Sequence, residues 1–173
     1  MRRSVGRTAR IGVAVGLVGL STLTWVSAAF GTAPGGSGTT TALNRATIGS
    51  KVEVEFSGLH LEVNAPIDVV QTETVGQPGF SSGWHSHTGA VIVSIKSGAL
   101  VLTDGHCRAH MVSAGQAFVE SPGVRYQAEN RGTIAADWFT TQLIPKGAAT
   151  RVDQPAACGA AAPMDGSMSH DDG

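Results

Sequence analysis

The sequence predicts an all-β domain, and three observations support that prediction. Apolar and polar residues alternate with a period of two in almost every segment between residues 51 and 158, which is typical of strands with one buried face. Turn signals such as Gln77-Pro78-Gly79 separate these segments. No segment keeps the 3.6-residue period of an amphipathic helix. Short strands at regular spacing indicate a β-sandwich or a β-barrel.

The predicted strands follow one another along the chain. In the first, KVEVEFS, the side chains of Val52, Val54 and Phe56 share one face and the charged side chains share the other. The segment LHLEV repeats this alternation. Further strands are predicted in IDVVQTETV, WHSHTGAVIVSIK, ALVLTD, GQAFVES, VRYQAEN and TIAADWFTTQLI. A chain of 173 residues has room for one such domain.

Both ends of the chain are predicted to lie outside this domain. Residues 1–28 place four arginines before an apolar stretch, which is the order of a cleavable signal peptide, with a retained membrane anchor as the alternative. Residues 29–50 are rich in Gly, Ser and Thr and are predicted to be a flexible linker. Residues 159–173 are predicted to be a disordered tail. The β-domain is therefore predicted over residues 51–158, secreted or in the cell envelope.

The charge balance restricts the class of partner. Without the four arginines of residues 1–28, the chain keeps 8 Lys and Arg against 13 Asp and Glu, a net charge of −5. An acidic domain is a poor partner for nucleic acid or for an anionic membrane surface. Contact with a membrane is expected only through an uncleaved N-terminal segment, and a small molecule is the expected partner.

Cys107 and Cys158 are the only cysteines in the chain. In an oxidising compartment such a pair is predicted to form a disulfide, which would attach the C-terminal segment to the folded domain. The alternative is two reduced thiols in a metal or redox site.

The stretch GFSSGWHSHTGAVIVSIKSG contains two histidines one residue apart. Residues two apart on a strand point to the same face, so His85 and His87 are predicted to project together, on the face that also carries Val91 and Val93. Neutral imidazole is a good ligand for first-row divalent metals. The alternative is that both histidines are hydrogen-bonded polar residues at the rim of the fold.

Two segments resemble the signatures of the cupin superfamily. The first signature has a Gly, His-x-His, a Glu and a second Gly, and Gly79, His85, His87 and Gly98 fit its spacing. The second is similar to GQAFVESPGVRYQAEN. There Gly115, Gly123 and Asn130 fit, and Pro122 lies one residue late. The resemblance covers nearly all of residues 51–158 and implies a single-domain, cupin-type jelly-roll β-barrel.

The chain departs from the cupin pattern where the resemblance places the metal ligands. Val91 stands at the position of the glutamate ligand, and Tyr126 stands at the position of the third histidine. By alternation Tyr126 points inward with Asn130, so it is either a third ligand to a metal held by His85 and His87 or a packing residue that hydrogen-bonds one of them. Val91, Val93 and Asn130 are predicted to line the pocket.

Two functions remain open at this point. The first is a cupin with a degenerate pocket that binds a divalent transition metal, which would activate water, oxygen or a chelating substrate. The loss of two ligand equivalents argues against a conventional dioxygenase or isomerase. The second is a non-catalytic cupin without metal, either a binder of a small ligand or a structural unit of the cell envelope. The resemblance also implies a homodimer under either function.

Overall fold

We describe residues 31–159 from a computed structural model. This part of the chain contains strands and turns and no helix, so it contains no helix able to cross a membrane. The predicted signal peptide or anchor at residues 1–28 lies outside the described residues, as does the predicted tail beyond residue 159. In chain order the strands are β1 (Gly38–Ile48), β2 (Val52–Phe56), β3 (Leu59–Val63), β4 (Ile67–Gly76), β5 (His85–Ser86), β6 (Ala90–Ser97), β7 (Ala99–Asp104), β8 (Ala109–Ser113), β9 (Ala117–Glu120), β10 (Tyr126–Glu129), β11 (Ala136–Pro145) and β12 (Val152–Asp153).

Two five-stranded antiparallel sheets enclose the hydrophobic core. The larger sheet has the order β1-β4-β11-β6-β9, and the smaller has the order β12-β5-β10-β7-β8. The core takes alternate side chains from both sheets because successive residues of a strand point to opposite faces. Its central members are Val91, Ile95, Leu100, Val112 and Trp138, all buried. The all-β jelly-roll prediction is confirmed.

The N-terminal boundary of the domain differs from the prediction. Gly38–Ile48, predicted as part of a flexible linker over residues 29–50, form β1 and pair with the whole length of β4. Almost every side chain of β1 is exposed because β1 is an edge strand, so its sequence carries no apolar alternation. Its threonines suit extended backbone nevertheless, because β-branched side chains favour strands. The linker prediction is therefore wrong over these residues.

The β2–β3 hairpin forms a separate two-stranded sheet. Its in-register pairs alternate between apolar ones, such as Val54 with Leu61, and charged ones, such as Glu53 with Glu62. One face is therefore entirely apolar. The base of this face is buried at Val63, whereas Phe56 at the tip is exposed. Residues 51–63, predicted as the first strands of the barrel, thus stand apart from the two large sheets.

The last described residues of the chain run back along strand β5. We call residues 149–158 the C-terminal strap. Its short strand β12 pairs with β5, and its last residue, Cys158, forms a disulfide with Cys107 in the turn between β7 and β8. The predicted disulfide is confirmed.

Candidate metal centre

The two histidines lie side by side inside the fold. His85 begins β5, and His87 follows directly after that strand. Their side chains project to the same side, as the spacing predicts, and only 6% and 7% of the two residues is exposed. The ring centroids are 4.9 Å apart and the rings meet edge to face.

Hydrogen bonds fix the tautomer of His85. Its Nδ1 lies 2.9 Å from the carbonyl oxygen of Gly83 and must donate there, because a carbonyl can only accept. Burial lowers the pKa of His85 to about 4, and the bond to Gly83 opposes that shift only in part. The ring is therefore neutral at pH 7. A neutral ring with a proton on Nδ1 leaves the lone pair of Nε2 free to bind a metal.

His87 is oriented in the same way by the C-terminal strap. Its Nδ1 donates to the carbonyl oxygen of Thr150. Its Nε2 lies 2.9 Å from Oε2 of Glu120, a side chain that is only 4% exposed. If Nε2 of His87 carries no proton, its lone pair faces a lone pair of Oε2 of Glu120. A cation is then needed to compensate the charge of the buried carboxylate.

Glu120 occupies the place of the carboxylate that the sequence lacks at Val91. It ends β9, and its in-register partner on β6 is Val91. Residues directly opposite on neighbouring strands share a face, so the glutamate reaches the site from the adjacent strand. The sequence analysis missed Glu120, although Glu120 shares its strand face with the partly buried apolar residue Phe118 and this alternation would have placed it inward.

The donor set fits a divalent transition metal. One ligand atom from each of His85, His87 and Glu120 lies within 4.8 Å of the others, and all three residues are buried. No group within residues 31–159 gives Oε2 of Glu120 a hydrogen bond of good geometry. In each of the two imidazole rings, Nδ1 is already hydrogen-bonded to a backbone carbonyl. This arrangement, beside a buried carboxylate oxygen without a donor, is typical of a metal site with two histidines and one carboxylate.

A cavity of about 360 Å³ opens beside these three residues. Val91 and Val93 are among the residues that line it. Gln142 reaches it from β11, where it pairs with the other side of Val91. Gln142 is 6% exposed, and its Oε1 has no hydrogen-bond partner among the described residues. Four threonines also line the cavity, namely Thr40, Thr72, Thr74 and Thr140, and the apolar side chains of Phe80, Leu100, Phe118 and Trp138 form another part of the lining.

Two predicted site residues have other contacts. The hydroxyl of Tyr126 accepts a hydrogen bond of 3.2 Å from the backbone N–H of Ser121, next to Glu120. Its role as a metal ligand stays a prediction. Asn130 is buried but is not among the residues that line the cavity, which corrects its assignment to the pocket. Its amide nitrogen donates instead to the carbonyls of Gly76 and Ile134, because these backbone groups need a partner inside the fold.

One family model and several solved structures are similar to parts of this chain. Residues 73–141 match the family described as "Cupin domain". Among solved structures, a conserved protein of unknown function from Streptococcus pyogenes is 19% identical, with a TM-score of 0.46, covering 64% of this chain and 77% of that one. A cupin superfamily protein from Desulfitobacterium hafniense is 12% identical, with a TM-score of 0.45 and coverage of 62% and 78%.

A third solved structure is an uncharacterised conserved protein with a double-stranded beta-helix domain from Klebsiella pneumoniae. It is 22% identical, with a TM-score of 0.45, covering 62% of this chain and 84% of that one. No curated protein matches the chain in sequence. The family match spans both histidines and Glu120, and the paired sheets have the architecture that the two signatures imply. The match identifies the segment over residues 73–141 as a cupin domain.

Proposed function

We propose that this protein is an exported cupin that binds a divalent transition metal through His85, His87 and Glu120. The observation that carries this proposal is the orphaned carboxylate. Glu120 is buried beside the two imidazoles without a hydrogen-bond donor to its Oε2. Burial of an isolated carboxylate has a desolvation penalty on the order of several kcal/mol, and a bound cation compensates that penalty.

Each of the three side chains has a defined part in such a site. His85 and His87 supply neutral nitrogen donors whose orientation is fixed by the carbonyls of Gly83 and Thr150. Glu120 supplies the negative charge. A bound divalent ion would act as a Lewis acid toward an oxygen of a ligand. Three protein donors leave coordination positions that a small molecule in the cavity can fill.

The cavity favours a small hydroxylated ligand. Oε1 of Gln142 is a buried acceptor without a donor, so it favours a ligand that carries an O–H or N–H group. The threonine hydroxyls of the same sheet can donate or accept, and those of Thr40 and Thr74 already lie 3.0 Å apart. A hydroxy acid could coordinate the metal through one oxygen and donate a hydrogen bond to Gln142 through another. Such a molecule would satisfy both the metal and the amide oxygen of Gln142.

A metal-free ligand-binding cupin is the second candidate. The distance of 2.9 Å between Nε2 of His87 and Oε2 of Glu120 is also within the range of an imidazolium–carboxylate ion pair, in which a proton on Nε2 replaces the metal. The cavity would then bind its ligand through Gln142 and the threonines alone. The two candidates differ in whether the protein takes up metal in stoichiometric amount.

Export and pairing are part of the proposal. The arginines followed by an apolar stretch in residues 1–28 support export, and the disulfide suits an oxidising compartment. The homodimer implied by the resemblance stays a prediction, as does membrane contact through an uncleaved N-terminal segment.

Metal analysis after titration tests the proposal. We expect protein loaded with Mn²⁺, Co²⁺ or Zn²⁺ and then desalted to retain about one ion per chain. The double variant His85→Ala/His87→Ala is expected to retain none, and Glu120→Gln to bind at least about 10-fold more weakly. The exposed residues His60 and Glu62 provide matched controls, since His60→Ala and Glu62→Gln remove the same groups from residues that do not line the cavity.

Two outcomes would contradict the metal assignment. Wild-type protein that remains without metal after titration supports the second candidate, and so does equal retention by the double variant. Calorimetric titration with hydroxy acids and with analogues that lack the hydroxyl then tests the ligand class. Tighter binding of the hydroxylated member, lost in Gln142→Leu, is the expected result.

A further inference from the structure

The C-terminal strap runs along the segment that carries both histidines. Thr88 donates its hydroxyl to the carbonyl of Ala149, His87 donates Nδ1 to the carbonyl of Thr150, and the guanidinium of Arg151 donates to the carbonyl of Ser82. Strand β12 then pairs with β5, so that Val152 lies opposite Ser86 and Asp153 lies opposite His85. The strap therefore supports the histidine segment at nearly every residue from 82 to 88.

One of these contacts orients a proposed metal ligand. The carbonyl of Thr150 is the acceptor for Nδ1 of His87, and no other described residue is hydrogen-bonded to that ring nitrogen. A ligating histidine depends on its outer hydrogen bond for both its tautomer and its ring orientation. Displacement of Thr150 would leave the imidazole free to rotate and to carry its proton on Nε2, where the metal binds.

The backbone pairing that holds the strap is short. Strand β12 has two residues, and so does its partner β5. Pairings of only two residues open at low free-energy cost. Beyond them, the backbone N–H of Gln154 donates to Trp84, and the N–H of Thr32 donates to Gln154.

The disulfide closes the far end of the strap on a rigid turn. The carboxylate of Asp104 accepts the backbone N–H groups of His106 and Arg108 and also the Arg108 guanidinium. These bonds hold the turn that carries Cys107 without any help from the strap. The disulfide to Cys158 thus fixes a short terminal element to a turn that keeps its shape by itself.

We propose that the strap positions His87 for metal binding and that the Cys107–Cys158 disulfide keeps it in place, so that reduction of this disulfide weakens the metal site. This inference rests on the proposed metal function. In the reduction, a dithiol transfers two electrons and two protons, the S–S bond breaks, both cysteines become thiols, and the dithiol becomes a disulfide. Cys107 is exposed, so a reductant has access to the bond.

The size of the effect follows from the role of Thr150. Loss of an outer hydrogen-bond partner of a ligating histidine lowers metal affinity by roughly 10–100-fold. A strap released at one end opens part of the time, so we expect a loss of about 10-fold, near the lower end of that range. The amides of residues 150–158 should exchange with solvent faster in the same state.

The test compares the Kd for Zn²⁺ in three forms of the full domain: oxidised wild type, wild type reduced with a phosphine, and Cys107→Ser/Cys158→Ser. The phosphine form provides the measurement if the double variant does not fold. Val112→Ala is the matched control, because it truncates a buried core residue on β8 without touching the strap. The expected result is a Kd about 10-fold higher in both forms without the disulfide and an unchanged Kd in Val112→Ala.

Three other results would overturn the inference, and they can be distinguished. An equal Kd with and without the disulfide refutes the role of the strap and leaves the metal site intact. Absence of Zn²⁺ binding in oxidised wild type refutes the metal site and the inference together. A rise in Kd in Val112→Ala as large as that in the cysteine variant would show that the effect follows global stability, which also contradicts a positioning role.

Discussion

At the scale of single residues, the site differs from the cupin signature at the third histidine, replaced by Tyr126, and by a carboxylate that lies on the neighbouring strand. The signature implies a glutamate at position 91 of β6, whereas the buried carboxylate here belongs to Glu120 of β9, directly opposite. In-register side chains on neighbouring strands have Cβ atoms about 5 Å apart, a distance that a glutamate side chain spans. Either position can therefore present its carboxylate to the same two histidines.

This geometry predicts that the carboxylate can be moved back. Glu120→Val should lose metal affinity by about 100-fold or more, since it removes a ligand and not only an outer partner. The double variant Val91→Glu/Glu120→Val should recover most of that loss and bind within about 10-fold of wild type. Calorimetric titration with Zn²⁺ measures both. A double variant as weak as Glu120→Val would show that position 91 does not reach the metal.

Val91→Glu alone tests whether positions 91 and 120 face the same space. It places two carboxylates opposite each other in a buried site, and like charges in such a pair destabilise the metal-free protein. We therefore expect a lower melting temperature for this variant without metal and a marked increase when metal is added. The same melting temperature as wild type without metal would mean that the new side chain turns away from Glu120.

The sequence predicts part of this site for a clear physical reason. The spacing of His85 and His87 determines that they share a strand face, and their burial confirms it. Which residues lie beside Val91 depends on the register between β6, β9 and β11, which one sequence does not state. Glu120 and Gln142 were missed for that reason. Asn130 was placed in the pocket by correct inward alternation, but its amide is used by the backbone of a turn.

At the scale of the elements, the edge strand β1 shows how a polar sequence can still form a strand. Its partner β4 is buried on one face and pairs with β1 along its whole length. Side-chain contacts of Asp68 on β4 add to this backbone pairing. The carboxylate of Asp68 accepts bonds from Arg45 and Thr47 of β1 and from the backbone N–H of Gly147 after β11. These contacts lie far apart in sequence, so alternation within residues 29–50 could not reveal them.

The negative charge of Asp68 should make the free energy of unfolding depend on pH in the acidic range. Hydrogen bonds from Gly147, Thr47 and Arg45 lower the pKa of Asp68 to about 2 from its ordinary value of 3.8. A folded-state pKa below the unfolded value means that this stabilisation is present above about pH 4 and is lost as the pH falls toward 2. Asp68→Asn should therefore lower the melting temperature at pH 7 by roughly 5 °C.

The pH profile separates this charge effect from simple loss of packing. The difference in melting temperature between wild type and Asp68→Asn should shrink between pH 4 and pH 2, because wild-type Asp68 becomes neutral there. Glu53→Gln, on the exposed charged face of the β2–β3 hairpin, should match wild type at every pH. A difference for Asp68→Asn that stays constant down to pH 2 would contradict the assigned cause.

At the scale of the whole molecule, the architecture could be predicted well because period-two alternation recurs along most of the domain. The two sheets and their apolar core confirm that pattern. The exceptions are the segments in which strands have no second sheet to cover them. The edge strand β1 is exposed on both faces, and the β2–β3 hairpin is covered only at its base. Alternation identifies a buried face but does not state which element covers it.

The disulfide links this architecture to global stability. Cys107 and Cys158 are 51 residues apart, and the loop between them includes strands β8 to β12. In the chain-entropy account, closing a loop of that length stabilises the fold by about 4 kcal/mol, a large share of the 5–15 kcal/mol typical of a domain. We expect urea unfolding of Cys107→Ser/Cys158→Ser to show a loss of about that size.

The dependence of unfolding on urea identifies where the stabilisation originates. If the cross-link acts mainly by restricting the unfolded chain, its removal exposes more surface on unfolding, so the m-value should rise as the midpoint falls. A loss well below about 2 kcal/mol with an unchanged m-value would contradict that account. It would mean that the disulfide restrains only the strap, because freeing a terminal segment changes local opening while the two sheets continue to unfold as before.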